Sequence, residues 1–145
     1  MIAISNRQRA RKIDLRLLEK IAAAALTELK INEAELGIVL VGAKEMAAIN
    51  EKYLGHEGPT DVITFDYENP ASPMHGEIFI CMEEAERQAK EFKTSWQSEL
   101  VRYIVHGVLH LAGQDDLKPA ARVKMKHVEG RLVRELSRRF ALSNL

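Results

Sequence analysis

His106 and His110 stand four positions apart in the segment His106-Gly107-Val108-Leu109-His110. On a helix that spacing puts both imidazoles on one face, with Cβ atoms roughly 5–6 Å apart, close enough to share one cation. Gly113 follows the pair and lets the chain leave the helix and curl back, which brings Gln114, Asp115 and Asp116 within reach of the same face. Two imidazoles and one carboxylate would leave a tetrahedral ion with an open position, the arrangement of catalytic rather than structural zinc. Asp116 is the expected third ligand. Asp115 is the alternative, and without a metal Asp116 would simply cap the next helix. Where zinc peptidases carry a glutamate as general base, directly after the first histidine, this chain has Gly107. The chemistry then rests on Lewis-acid stabilisation of an oxyanion and on a lowered pKa of bound water, with proton transfer assigned elsewhere, which points away from peptides.

Such a pair needs a helix to hold it. Ile104, Val105, Val108 and Leu109 fill the other faces, so a largely buried helix is predicted over Ser95 to Ala112, with its polar stripe lining a cleft. Glu83 to Phe92 and Pro119 to about Phe140 read as helices on either side, Pro119 sitting where a first helical residue is tolerated. Earlier in the chain, Asp14 can cap a helix with Leu17, Leu18, Ile21, Ala25 and Leu29 at helical spacing, and Ala43 to Tyr53 forms another. Strands are expected at Met1 to Ser5, Gly37 to Val41, Asp61 to Tyr67 and Glu77 to Cys81, with a loop over Glu68 to Gly76. Strands and helices mixed early, then helices alone, predict the α+β class: a mixed sheet of about four strands with helices packed on it and the metal site on a central helix.

A chain of 145 residues with 46% hydrophobic content suits one domain, residues 1–145, with a sizeable core. Lysines and arginines number 21 against 21 aspartates and glutamates, so the molecule as a whole has no strong pull on nucleic acid or anionic lipid. Any polyanion must be held by local clusters, of which there are two: Arg7, Arg9, Arg11 and Lys12 near the start, and Lys124, Lys126, Arg131, Arg134, Arg138 and Arg139 near the end, the second diluted by Glu129 and Glu135. Cys81 has no partner cysteine and reads as a small buried hydrophobe, in keeping with a reducing cytoplasm. No apolar run approaches the roughly 20 residues that span a bilayer, and no leader pattern is present, so a soluble, unexported protein with no membrane partner is expected.

The run His106-Gly107-Val108-Leu109-His110-Leu111-Ala112-Gly113-Gln114-Asp115-Asp116 resembles the signature of the YbeY family of bacterial endoribonucleases, H-G-x-L-H-L-x-G-x-D-H, and departs from it only at the last place. Pro59-Thr60-Asp61-Val62-Ile63-Thr64-Phe65 is similar to that family's P-T-[DN]-V-L-S-F segment. Asn50, Tyr53 and Gly55 stand where the family has the same residues, and Gly76-Glu77-Ile78 with Ile80-Cys81 resembles its G-D/E-hydrophobic strand. The resemblance runs from about residue 35 to 135. It implies metal-dependent cleavage of single-stranded RNA, in maturation of ribosomal RNA including the 3′ end of the small-subunit RNA, and in ribosome quality control. It also implies zinc as cofactor, held by His106, His110 and Asp116, and the small ribosomal subunit as partner.

Two departures bear on mechanism. Asp116 replaces a family histidine, and its carboxylate adds negative charge, which weakens the ion as a Lewis acid and shifts metal choice towards harder ions. Leu54 replaces a family arginine suited to clamping a phosphate by two parallel hydrogen bonds. Candidates to supply that charge are Arg102, one helical turn before His106, and Lys52 and His56, which flank the lost position. The simpler expectation for Arg102 is a surface charge paired with Glu99, and for Tyr53, Phe65 and Tyr67 it is core packing. Rival functions are a ribosome-associated RNA-binding factor with weakened or lost catalysis, and a metal-dependent hydrolase of another substrate.

Overall fold

The computed structural model describes all residues except 56, 57, 59 and 69–72. Strand β1 (Ile2–Asn6) leads into helix α1 (Leu15–Glu28), followed by β2 (Glu35–Val41), α2 (Ala43–Leu54), β3 (Val62–Asp66) and β4 (His75–Cys81). Helices α3 (Met82–Phe92), α4 (Trp96–Leu111) and α5 (Pro119–Arg139) complete the chain, with one 3-10 turn at Leu142–Asn144. The strands form one sheet in the order β1-β2-β4-β3, with β1 and β2 parallel, β2 and β4 parallel, and β3 antiparallel to β4. The α+β expectation with a mixed four-stranded sheet therefore describes the molecule. The strand starts differ from the sequence reading: β2 begins at Glu35 and β4 at His75, because pairing of Glu35 with His75 and Leu36 with Gly76 extends both ladders.

Side chains alternate across the sheet and divide the core in two. On one face Ile38, Leu40, Ile78 and Ile80, all fully buried, pack in a single cluster with α1, α4 and α5. On the other face Val39, Val41, Ile63 and Cys81 meet Met46 of α2. Helix α4 is the centre of the first layer, with Leu100, Val101, Ile104, Val105, Val108 and Leu109 fully buried. Each such side chain is worth about 1.5–3 kcal/mol of burial, so α4 is anchored along its whole length.

Gly107 lets that anchoring be close. A Cβ at this position would lie 2.8 Å from Cδ1 of Ile78, nearer than real Cβ contacts, so the missing methyl lets α4 settle directly on β4. The capping expectations hold as well. The Asp14 side chain accepts from Leu17 N at the start of α1, Ser95 accepts from Ser98 N at the start of α4, and Pro119 is the first residue of α5.

Candidate metal centre

Helix α4 ends at Leu111 and the chain reverses through a two-bond terminus, with Gly113 N donating to His110 O at 3.0 Å and Gln114 N donating to Leu109 O at 3.0 Å. Gly113 occupies the left-handed position at φ 95°, as this closing motif requires. The reversal turns Asp116 back towards the exposed side of α4, where His106 and His110 project on one stripe. Their Nε2 atoms lie 3.1 Å apart, and the carboxylate of Asp116 is 4.0 Å from Nε2 of His106 and 3.8 Å from Nε2 of His110. Donor atoms of these three residues all lie within 4.8 Å of one another.

A tetrahedral ion with bonds of 2.0–2.1 Å keeps its ligand atoms roughly 3.3–3.4 Å apart. The three separations above bracket that spacing, so these residues fit one divalent ion. Partial exposure of all three side chains leaves the point they converge on open to solvent. Asp115 is committed elsewhere, its Oδ1 accepting from Leu117 N at 3.1 Å. The cap position of α5 is Lys118, so Asp116 does not serve as that cap; its backbone carbonyl accepts from Nε of Arg122 at 3.0 Å, which ties the turn to α5.

The opposite nitrogens of both rings are also held. Nδ1 of His106 pairs with Oε1 of Glu129 at 2.8 Å, and the backbone of Gln114 hydrogen-bonds the His110 ring. With a carboxylate behind it, the His106 pKa is raised above the ordinary imidazole value, first by the Glu129 hydrogen bond, against the opposing effect of burial, and further by the charges of Glu129 and Asp116. His110 moves the other way: burial and the neighbouring His106 lower it, while Asp116 opposes. An imidazole hydrogen-bonded to a carboxylate on its far nitrogen is a fixed, more basic ligand.

Glu129 was missed as a site residue from sequence, where it counted only as dilution of a basic cluster. A signal existed. Met125, Leu132, Val133 and Leu136 form the buried stripe of α5, and Glu129 falls on that stripe. A carboxylate at a core position demands a partner.

Arg102 is not the surface partner of Glu99. Its Nη1 lies 3.4 Å from Oε2 of Glu129, while buried Glu99 accepts from Oγ1 of Thr94 at 2.7 Å. Lys52 lies over the Tyr53 ring at 5.2 Å, and Leu54 is exposed. His56 lies outside the described residues. The core-packing expectation for the aromatics is corrected: Tyr53 and Tyr67 are 58% and 47% exposed, and Phe65 is half-buried. Their face of the sheet is only partly covered by α2.

Comparison with known proteins adds a second line of evidence. The family model described as endoribonuclease YbeY matches residues 3–137. The chain is 35% identical to the endoribonuclease YbeY of Chlorobium luteolum over 88% of its own length and 93% of that protein's. It is 38% identical to that of Syntrophotalea carbinolica over 79% of this chain and 80% of the relative. Among solved structures, the solution structure of TM1509 from Thermotoga maritima superimposes with a TM-score of 0.70 at 28% identity, covering 94% of this chain and 89% of that one.

Proposed function

Because the chain belongs to the YbeY endoribonuclease family, we propose that it is a metal-dependent endoribonuclease that cuts single-stranded RNA in the cytoplasm. Its place is in maturation of ribosomal RNA, including the 3′ end of the small-subunit RNA, and in ribosome quality control on the small subunit. The observation that supports this most is the convergence of His106, His110 and Asp116 on one solvent-reachable point. A cytoplasmic setting agrees with the single unpaired Cys81 and with the absence, among the described residues, of any helix long and apolar enough to cross a membrane.

His106, His110 and Asp116 would hold one divalent ion, zinc by the donor set, and the bound ion would supply Lewis-acid stabilisation of charge on phosphoryl oxygens and a lowered pKa of water. The protein's own contributions are positional. Glu129 keeps the proton of His106 on Nδ1 and so presents the lone pair of Nε2 to the centre. Arg102 balances the charge of Glu129, which makes it a positioning residue. Lys52 and His56 remain the proposed phosphate contacts in place of an arginine at Leu54, Lys52 being exposed at the end of α2. Single strands suit the site because a splayed strand can enter a cleft that a duplex cannot.

The test compares cleavage of one RNA sequence, single-stranded and duplex, by zinc-loaded protein, chelated protein and His110→Ala. Cleavage of the single strand alone, lost on chelation and in the variant and restored to the native chain by zinc, is the expected result. Stoichiometric metal with no cleavage of any RNA would replace this reading with an RNA-binding factor. Activity on model phosphoesters but not RNA would replace it with a hydrolase of another substrate.

A further inference from the structure

The half of the sheet that α2 leaves uncovered carries an aromatic surface that the metal centre does not use. Register places Ala3, Gly37, Glu77 and Phe65 in one row across all four strands, with Ser5, Val39, Phe79 and Ile63 in the row beside it. Towards β1 the surface is flat, because Ala3 and Ser5 are small and exposed and Gly37 has no side chain. Towards β3 it is built of rings. Tyr53 meets Phe65 edge to face at 5.5 Å, Phe65 meets Phe79 in the same manner at 5.5 Å, and Tyr67 meets His75 at 5.5 Å. Tyr53, Phe65, Tyr67 and Phe79 line an open cavity of about 460 Å³, together with Ile49, Arg7, Glu45 and Glu77.

We propose that this face is a base-stacking platform for unpaired nucleotides of the RNA strand, on the side of the sheet opposite the metal centre. The inference rests on the RNA-cleaving reading above and adds a second subsite to it. The chemistry of the surface selects this occupant. A contact for another protein would favour contiguous aliphatic area, whereas here aromatic rings, two of them bearing hydroxyls, are rimmed by hydrogen-bonding groups. Rings offer faces to bases, and every base has a π-face to stack. Glu77 and Glu45 are acceptors suited to exocyclic amines at base edges. Glu77 already accepts from the Tyr67 hydroxyl at 2.5 Å, and Arg7 holds Glu45 at 2.8 Å. The cations at the rim are Arg7, at the end of β1, and Lys52, over Tyr53, and both can meet phosphates along the strand. Arg7 belongs to the N-terminal basic cluster, which the metal centre leaves without a role.

Continuity with the metal centre comes from β3. It is an edge strand of the sheet, with Phe65 on the platform side and Val62 packed into the layer that contains α4. A single strand rounding that edge passes from the platform to His106 and His110. A duplex is too thick and stiff to make the turn, so the platform also accounts for a single-strand preference.

The test uses the full chain in excess chelator, so that binding is read without cleavage. Anisotropy of a fluorescein-labelled ten-residue oligouridylate is measured for the native protein, Tyr67→Ala, Tyr53→Ala and Tyr67→Phe, and for an abasic oligomer of the same length. Both tyrosines are well exposed, so truncation leaves the core intact, which circular dichroism checks. The alanine variants are expected to bind on the order of tenfold more weakly per ring, Tyr67→Phe to bind close to native, and the abasic strand to lose the same increment. Equal binding by all variants, or no binding by the native protein, would overturn the platform. Cleavage by the native enzyme with no difference among the variants would remove the platform and leave the proposed function standing. Ring-dependent binding with no cleavage under any metal would do the reverse.

Discussion

Glu129 and His106 form a partly buried pair in which the carboxylate fixes the imidazole tautomer and makes the ring more basic. In the metal-free chain this has a definite sign. The His106 pKa is raised, so the pair contributes stability that is fully present below the ordinary imidazole range and is lost as pH rises through the elevated value. His110, lowered by burial and by its neighbour, contributes stability that is present above the ordinary range and lost as pH falls through its depressed value. Glu129→Gln removes the largest cause of the His106 shift, so its imidazole resonance should titrate at lower pH in a metal-free NMR titration, and an unmoved midpoint would contradict the assignment. The same variant is expected to lose about 10–100-fold in metal affinity above the titration range, as changes behind a ligand do. The sequence revealed the two histidines because their spacing is local. Glu129 comes twenty-three residues after His106, and only the packing of α5 on α4 brings it to the ring.

Helix α4 carries the centre because it is held on both its apolar sides and at its end. Its length, its cap at Ser95 and the reversal at Gly113 were all readable from the sequence, since each depends on neighbours in the chain. The role of Gly107 was not. Its position suggested only the loss of a peptidase base, whereas the space it vacates is filled by Ile78 of β4. Gly107→Ala places a methyl against three Ile78 carbons at 2.8–2.9 Å, so it should destabilise by about 1–3 kcal/mol in denaturant unfolding despite its higher helix propensity. A neutral or stabilising effect would show that α4 can lift from the sheet without cost. Tyr53 and Tyr67 were misread for a related reason. Aromatic residues in and beside strands default to the core, and nothing local shows that α2 stops short of covering them.

At the scale of the whole molecule, the sheet separates two functions. One face packs the helices that build the metal centre, and the other offers rings and a few cations to a strand. A formal charge of zero fits this division, because attraction to RNA then comes from local groups rather than from a general field. The fold class and strand count followed from periodicity. The two-sided arrangement needed the register of all four strands. The account as a whole depends on one cation held by three side chains, and elemental analysis of protein purified without added metal, for the native chain, His110→Ala and Asp116→Ala, addresses it most directly. One equivalent of divalent metal per native chain, with both variants folded and emptied, is the expected result. Folded native protein that takes up no metal even when zinc is supplied, or variants that retain a full equivalent, would contradict the account.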